Sequence, residues 1–153
     1  MANILIADDD PIISELACGL LIADGHACGW VSDGEKALET IRWRRPDLLL
    51  LDQHMPGKSG SDLLRELRGS PDHYDLPIVM FTGVTGREDE LQARYHGAQD
   101  YIRKPFDAER LLFTVNEVLG ARANRPKHMP LPRYFELATG LCLPEQEKSR
   151  SLA

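Results

Sequence analysis

The sequence predicts an α/β protein: a doubly wound, five-stranded parallel sheet of strand order 2-1-3-4-5. Three observations predict it. Five short apolar, β-favouring segments recur, at 3–7, 26–31, 47–51, 77–81 and 100–104. The stretches between them carry helical period and helical punctuation. Leu48–Leu51 and Ile78–Phe81 are continuous apolar runs, as in strands covered on both faces. Strands alternating with helices mean a parallel sheet with helices on both sides, and right-handed crossovers restrict the order.

Each element follows from local chemistry. "NILIA" (3–7) is the first strand. Asp10-Pro11 supplies an N-cap and a proline at the first helical position, Ile13, Leu16 and Leu20 share one face, and Gly25 stops the helix. "HACGWV" (26–31) is the second strand, and the next helix opens at "SDG" (32–34), carries Ala37, Leu38 and Ile41, and ends before Pro46. "DLLLL" (47–51) is followed by a helix over "SGSDLLRELR" (59–68). "PIVMF" (77–81) is followed by one near "GREDELQARYHG" (86–97), stopped by Gly97. "DYIRK" (100–104) precedes a last helix from Asp107, with Leu111, Leu112, Val115, Val118 and Leu119 on its buried face.

The chain has 153 residues, 42% hydrophobic and 27% charged, enough for one domain with a real core. A formal net charge of −6 argues against a nucleic-acid or anionic-membrane surface. No apolar run approaches the ~18–20 residues that span a bilayer, and the N-terminus lacks the features of a signal peptide. A cytoplasmic protein is the expectation. Cys18, Cys28 and Cys142 form no CxxC and are expected as reduced thiols without a disulfide framework. The five histidines lack metal-site spacing, which argues against zinc.

"LLLLDQHMPG" (48–57) ends the most apolar segment on a carboxylate, Asp52, and turns at once with Pro56 and Gly57. In an open parallel sheet, ligands bind beyond the carboxyl ends of the strands, where the strand order reverses. That point lies between the first and third strands, whose ends carry Asp8, Asp9, Asp10 and Asp52. Converging carboxylates repel one another unless a cation is present, and hard oxygen donors with room for water suit Mg²⁺. A flavin phosphate would want a Gly/Ser/Thr-rich loop there instead. The fourth strand ends in Thr82-Gly83 and the fifth in "RKPF", with Lys104. An acid nucleophile, a pair of metal-binding acids, a hydroxyl and an ammonium are the parts of phosphoryl transfer. As a strand-end lysine, Lys104 is expected to cost the fold little when truncated.

"ILIADDDP", "DLLLLDQHMPGKSG", "PIVMFTG" and "DYIRKPF" resemble, in order and spacing, the hallmark segments of the response-regulator receiver domain of two-component signalling. The resemblance covers about residues 1–120 and implies the flavodoxin-like receiver fold. It implies that Asp52 accepts phosphate from a histidine kinase or phosphotransfer protein, and that the outcome is altered binding of a downstream protein partner. By the same resemblance Asp9 and Asp52 bind Mg²⁺ directly, Asp8 through water and His54 through its backbone carbonyl. Thr82 turns towards the phosphoryl group, Lys104 pairs with it, and Tyr101 is the switch aromatic coupled to Thr82. The Lys104–Pro105 bond is expected cis. His54 and Val84 occupy positions that tune the lifetime of the acyl phosphate, and Gly83 stands where Ala is commoner. Such a protein is not an enzyme in the ordinary sense but assists its own phosphorylation and dephosphorylation; a homodimer is left open.

Residues 121–153 differ in character, with four prolines and six basic residues against three acids. They are expected as a C-terminal extension or linker, too short for a helix-turn-helix output domain. "PRYFELATGL" (132–141) could form one amphipathic helix through Tyr134, Leu137, Ala138 and Leu141, although a flexible extension is favoured. "ATGLCLPEQE" faintly resembles the opening of a diguanylate cyclase domain but lacks the Asn-Arg that would follow, so a piece of a longer protein stays open. Two rival functions lose ground. A phosphohydrolase of the haloacid-dehalogenase type wants a second acid where His54 stands, and a scaffold without chemistry would not need Asp8, Asp9, Asp52, Thr82 and Lys104.

Overall fold

The computed structural model describes residues 1–83 and 87–123. Five strands and five helices alternate: β1 (Asn3–Ala7), α1 (Pro11–Ala23), β2 (Ala27–Val31), α2 (Gly34–Trp43), β3 (Leu48–Leu51), α3 (Gly60–Arg68), β4 (Ile78–Thr82), α4 (Arg87–Tyr95), β5 (Asp100–Arg103) and α5 (Ala108–Ala123). The strands form one sheet in the order β2-β1-β3-β4-β5, every pair parallel. The chain divides into two compact units, Met1–Arg122 and Ala123–Ala153. The expected extension and its candidate helix at 132–141 lie outside the described residues, as does Val84.

The continuous apolar strands are buried on both faces, as the sequence requires. Leu49, Leu51, Ile78 and Met80 face one side, with Leu38, Ile41, Leu63 and Leu67 from α2 and α3 packed over them. Leu48, Leu50, Val79 and Phe81 face the other, under Ala17 and Leu21 of α1 and Leu111 and Val115 of α5. Helix punctuation also holds. Asp10 caps α1 by accepting from the N–H groups of Ile12 (3.0 Å) and Ile13 (3.3 Å). Asp33 and Ser59 cap α2 and α3. Gly25 and Gly97 follow α1 and α4 with φ of +98° and +106°, a conformation other residues adopt at a cost.

Two local expectations are corrected. The buried stripe of α1 is Ser14, Ala17, Cys18 and Leu21, while Leu16 is 54% exposed and Ile13 and Leu20 are only partly buried. This helix is apolar almost all round, so spacing alone did not select the face, and small side chains line the stripe against the sheet. The third strand also begins one residue late. Asp47 stands outside it, its carboxylate accepting from the Asn3 N–H at 2.8 Å.

Candidate phosphoacceptor site

Register carries two acids to one place. Ala7 pairs with Leu51 across β1 and β3, so the next residues, Asp8 and Asp52, leave the sheet side by side. The Asp52 N–H donates to the Ala7 carbonyl at 2.9 Å, and the Asp8 N–H to that of Val31 at 3.0 Å. Asp8 is fully buried and Asp52 is 5% exposed. Asp9 is exposed, yet one carboxylate oxygen from each of Asp8, Asp9 and Asp52 falls within 4.8 Å of the others. Asp10 does not join them because its carboxylate is engaged by the α1 cap, although the Asp10 N–H donates to Asp8 Oδ1 at 3.0 Å.

Lys104 follows β5, and β3 and β4 separate that strand from β1 in the sheet. Its ammonium nevertheless pairs with Asp8 and lies 3.7 Å from Asp52 Oδ2. It also stands over the Phe81 ring, 5.1 Å from the centroid, where the ring face attracts a cation. The Lys104 N–H donates to the Thr82 carbonyl at 3.0 Å, and the Lys104–Pro105 peptide is cis.

Burial pushes the Asp52 carboxyl above its usual range, since a charge there gives up water. Lys104 works against that shift and the Asp8 carboxylate adds to it. The Thr82 hydroxyl and the Gln53 N–H, both donating to the Asp52 carboxylate, favour the ionised form. The Asp52 carboxylate thus has groups beside it that favour its charge, yet sits in a low-dielectric corner. Three carboxylates offering hard oxygens in so small a volume fit a divalent cation such as Mg²⁺.

Of the remaining expected residues, Tyr101 is buried on β5 and His54 is exposed two residues beyond Asp52. Sequence reasoning missed two residues that shape the loop after Asp52. The Gln53 side chain accepts from both the N–H (2.9 Å) and the hydroxyl (2.7 Å) of Ser61, which ties the residue after Asp52 to the first turn of α3. Gly60 packs so closely on Asp52 and Gln53 that a Cβ there would lie 2.9 Å from both the Asp52 carbonyl carbon and Gln53 Cα. The signal available was "SG" opening a helix straight after the turn at Pro56-Gly57.

A parallel sheet that gathers acids, a hydroxyl and an ammonium at adjacent strand ends defines a phosphoryl-accepting signalling domain. The chain belongs to the response regulator receiver domain family, whose model matches residues 4–116. Among curated relatives, the DNA-binding response regulator MtrA of Mycolicibacterium smegmatis is 37% identical over 127 residues, covering 83% of this chain and 54% of that protein. The phosphate regulon transcriptional regulatory protein PhoB of Pseudomonas aeruginosa is 37% identical over 117 residues, covering 76% of this chain and 51% of that one. The chain therefore spans about half the length of these relatives. Among solved structures, the BeF3-activated N-terminal receiver domain of Klebsiella pneumoniae RstA superposes with a TM-score of 0.72 at 32% identity, covering 76% of this chain and 97% of that one. Receiver domains take phosphate from histidine kinases onto an aspartate, and this one is a signalling protein of two-component systems. No helix among the described residues is long and apolar enough to cross a membrane.

Proposed function

We propose that Asp52 is the phosphoacceptor and that residues 1–120 act as the receiver domain, with 121–153 as an extension. One observation carries the assignment: Asp52, 5% exposed, brings a carboxylate oxygen within 4.8 Å of those of Asp8 and Asp9 and stands 3.7 Å from Lys104 Nζ. The donor is a phosphohistidine of a histidine kinase or phosphotransfer protein. An Asp52 oxygen attacks the phosphorus in line, the P–N bond breaks, and the imidazole nitrogen keeps the electron pair. Asp9 and Asp52 directly, Asp8 through water and the His54 backbone carbonyl would hold Mg²⁺, which would supply positive charge against the phosphoryl oxygens.

The chain's own groups do the rest. Thr82 transfers its hydroxyl hydrogen bond from the carboxylate to a phosphoryl oxygen, and Lys104 exchanges part of its pairing with Asp8 for the same group. Tyr101, on the neighbouring strand, follows Thr82 and carries the change to the surface that a protein partner reads. The same groups assist hydrolysis of the acyl phosphate, with His54 and Val84 setting its lifetime. The described domain acts in the cytoplasm through protein contacts, without nucleic acid of its own. Intact mass after treatment with acetyl phosphate and Mg²⁺ tests the reading. One phosphate should be added, and none to Asp52→Ala; a label that survives this substitution overturns the assignment.

A further inference from the structure

Cys18 and Cys28 take no part in phosphoryl chemistry, yet their sulfurs stand 2.9 Å apart. Both are free thiols. Cys18 is buried in α1, and Cys28 lies half-buried on β2, the strand at one edge of the sheet, next to exposed Gly29 and Trp30. Of the two residues, Cys28 is the more exposed. A disulfide bond measures about 2.05 Å, so the two sulfurs need to close by about 0.9 Å, within reach of side-chain torsions. Their surroundings are apolar, with Cys18 in the core cluster of Ile4 and Leu21 and Cys28 packed against it.

We propose that Cys18 and Cys28 form an oxidisable dithiol site that a low-molecular-weight disulfide converts to an intramolecular disulfide. One of the two thiolates attacks one sulfur of the reagent, forming a mixed disulfide and expelling one thiolate. The other protein thiolate then attacks the protein sulfur of that mixed disulfide and expels the second. Two protein thiols give up two electrons and two protons, and the reagent leaves as two thiols.

Burial pushes both thiols above their ordinary range, Cys28 the further. Thiolate is scarce at neutral pH, so exchange is slow. The site thus records sustained oxidation and is no rapid sensor. The bond would join α1 to β2 beside Ile4, which pairs with Cys28 at the end of β1 remote from Asp8. Phosphoryl acceptance should persist in the oxidised protein.

The test uses the full chain carrying Cys142→Ser, so that these two thiols are the only ones present. After equilibration with glutathione disulfide at about pH 8, the denatured protein is alkylated and weighed. The expected product is monomeric, lighter by two hydrogen atoms, unalkylated and restored by dithiothreitol. Adding Cys18→Ser should leave Cys28 as a glutathione adduct. At one fixed glutathione ratio, the folded chain should hold about tenfold more disulfide than the same chain in urea, because the fold places the sulfurs together. Two alkylated thiols, dimers linked through Cys28, or equal disulfide in urea would each overturn the proposal.

Discussion

Lys104 pairs with Asp8, and its Nζ stands 3.7 Å from Asp52 Oδ2, so one cation serves two buried carboxylates whose oxygens lie within 4.8 Å of each other. This pairing changes what truncation of Lys104 should do. A strand-end lysine read from sequence is expendable, but removing this one leaves fully buried Asp8 without its cation. Breaking a buried pair from one side costs about 3 kcal/mol. Lys104→Ala should therefore melt well below wild type in EDTA. Mg²⁺ should restore more of the midpoint in the variant than in wild type, since the ion supplies the missing charge. Thermal melts with and without Mg²⁺ check both; equal melting in EDTA would show that the pair contributes nothing.

Thr82 separates the fold from the switch. Its hydroxyl donates to Asp52 in the unphosphorylated protein, so Thr82→Ala should raise the Asp52 pKa further and Thr82→Ser should leave it unchanged. Both variants should accept phosphate, and only the serine variant should keep a conformational response to it. Carboxyl titration by NMR and amide exchange before and after acetyl phosphate distinguish the two. An unaltered response in Thr82→Ala would remove the hydroxyl from the switch.

Two glycines should respond in opposite directions to alanine. At Gly60 a Cβ meets the Asp52 carbonyl group and Gln53 Cα, all backbone, so the acceptor loop must move. Overpacking of this kind costs about 2 kcal/mol, and Gly60→Ala should also slow phosphorylation by displacing Asp52. At Gly19, within α1, a Cβ meets nothing within 4 Å. Gly19→Ala should stabilise by about 1 kcal/mol through helix propensity alone. Urea titrations and phosphorylation rates of the pair test the contrast.

Much of this was legible in the sequence because it rests on short-range pattern. The run Leu48–Leu51 announced a strand buried on both faces, Asp10-Pro11 announced the capped α1, and Gly25 and Gly97 announced the stops of α1 and α4. Two neighbouring strand ends were enough to bring Asp8 and Asp52 together once the strand order was inferred. What was not legible depends on three-dimensional reach. Nothing local tells which carboxylate Lys104 selects from across two strands, nor that Gln53 reaches Ser61. Cys18 and Cys28 approach each other because a helix and an edge strand meet, and spacing alone gave them no sign. The third acid of "ADDDP" was divided from its neighbours by a cap, which sequence could name but not weigh against the cluster.

The burial that raises the Asp52 carboxyl gives stability a definite pH dependence. Its folded-state pKa lies above the ordinary 3.8, so between the two values the native state binds more protons than the unfolded chain. Stability then falls as pH rises through that window. The penalty is absent below about 3.8 and complete once pH exceeds the folded-state pKa. Asp52→Asn keeps the shape, removes the charge and should melt higher than wild type in EDTA at pH near 7. That advantage should shrink as pH is lowered towards the ordinary carboxylate range, where wild-type Asp52 is neutral too. Mg²⁺ should oppose the penalty in wild type, adding RT ln(1 + [L]/Kd), ~1.4 kcal/mol at about ten times Kd. The gain should be smaller in Asp52→Asn, which has lost a ligand charge. Melts of both proteins across pH, with Mg²⁺ and with EDTA, measure all of these. An advantage for Asp52→Asn that grows towards acid pH would mean that Asp52 is stabilised as the anion, and the electrostatic account of the site would fail.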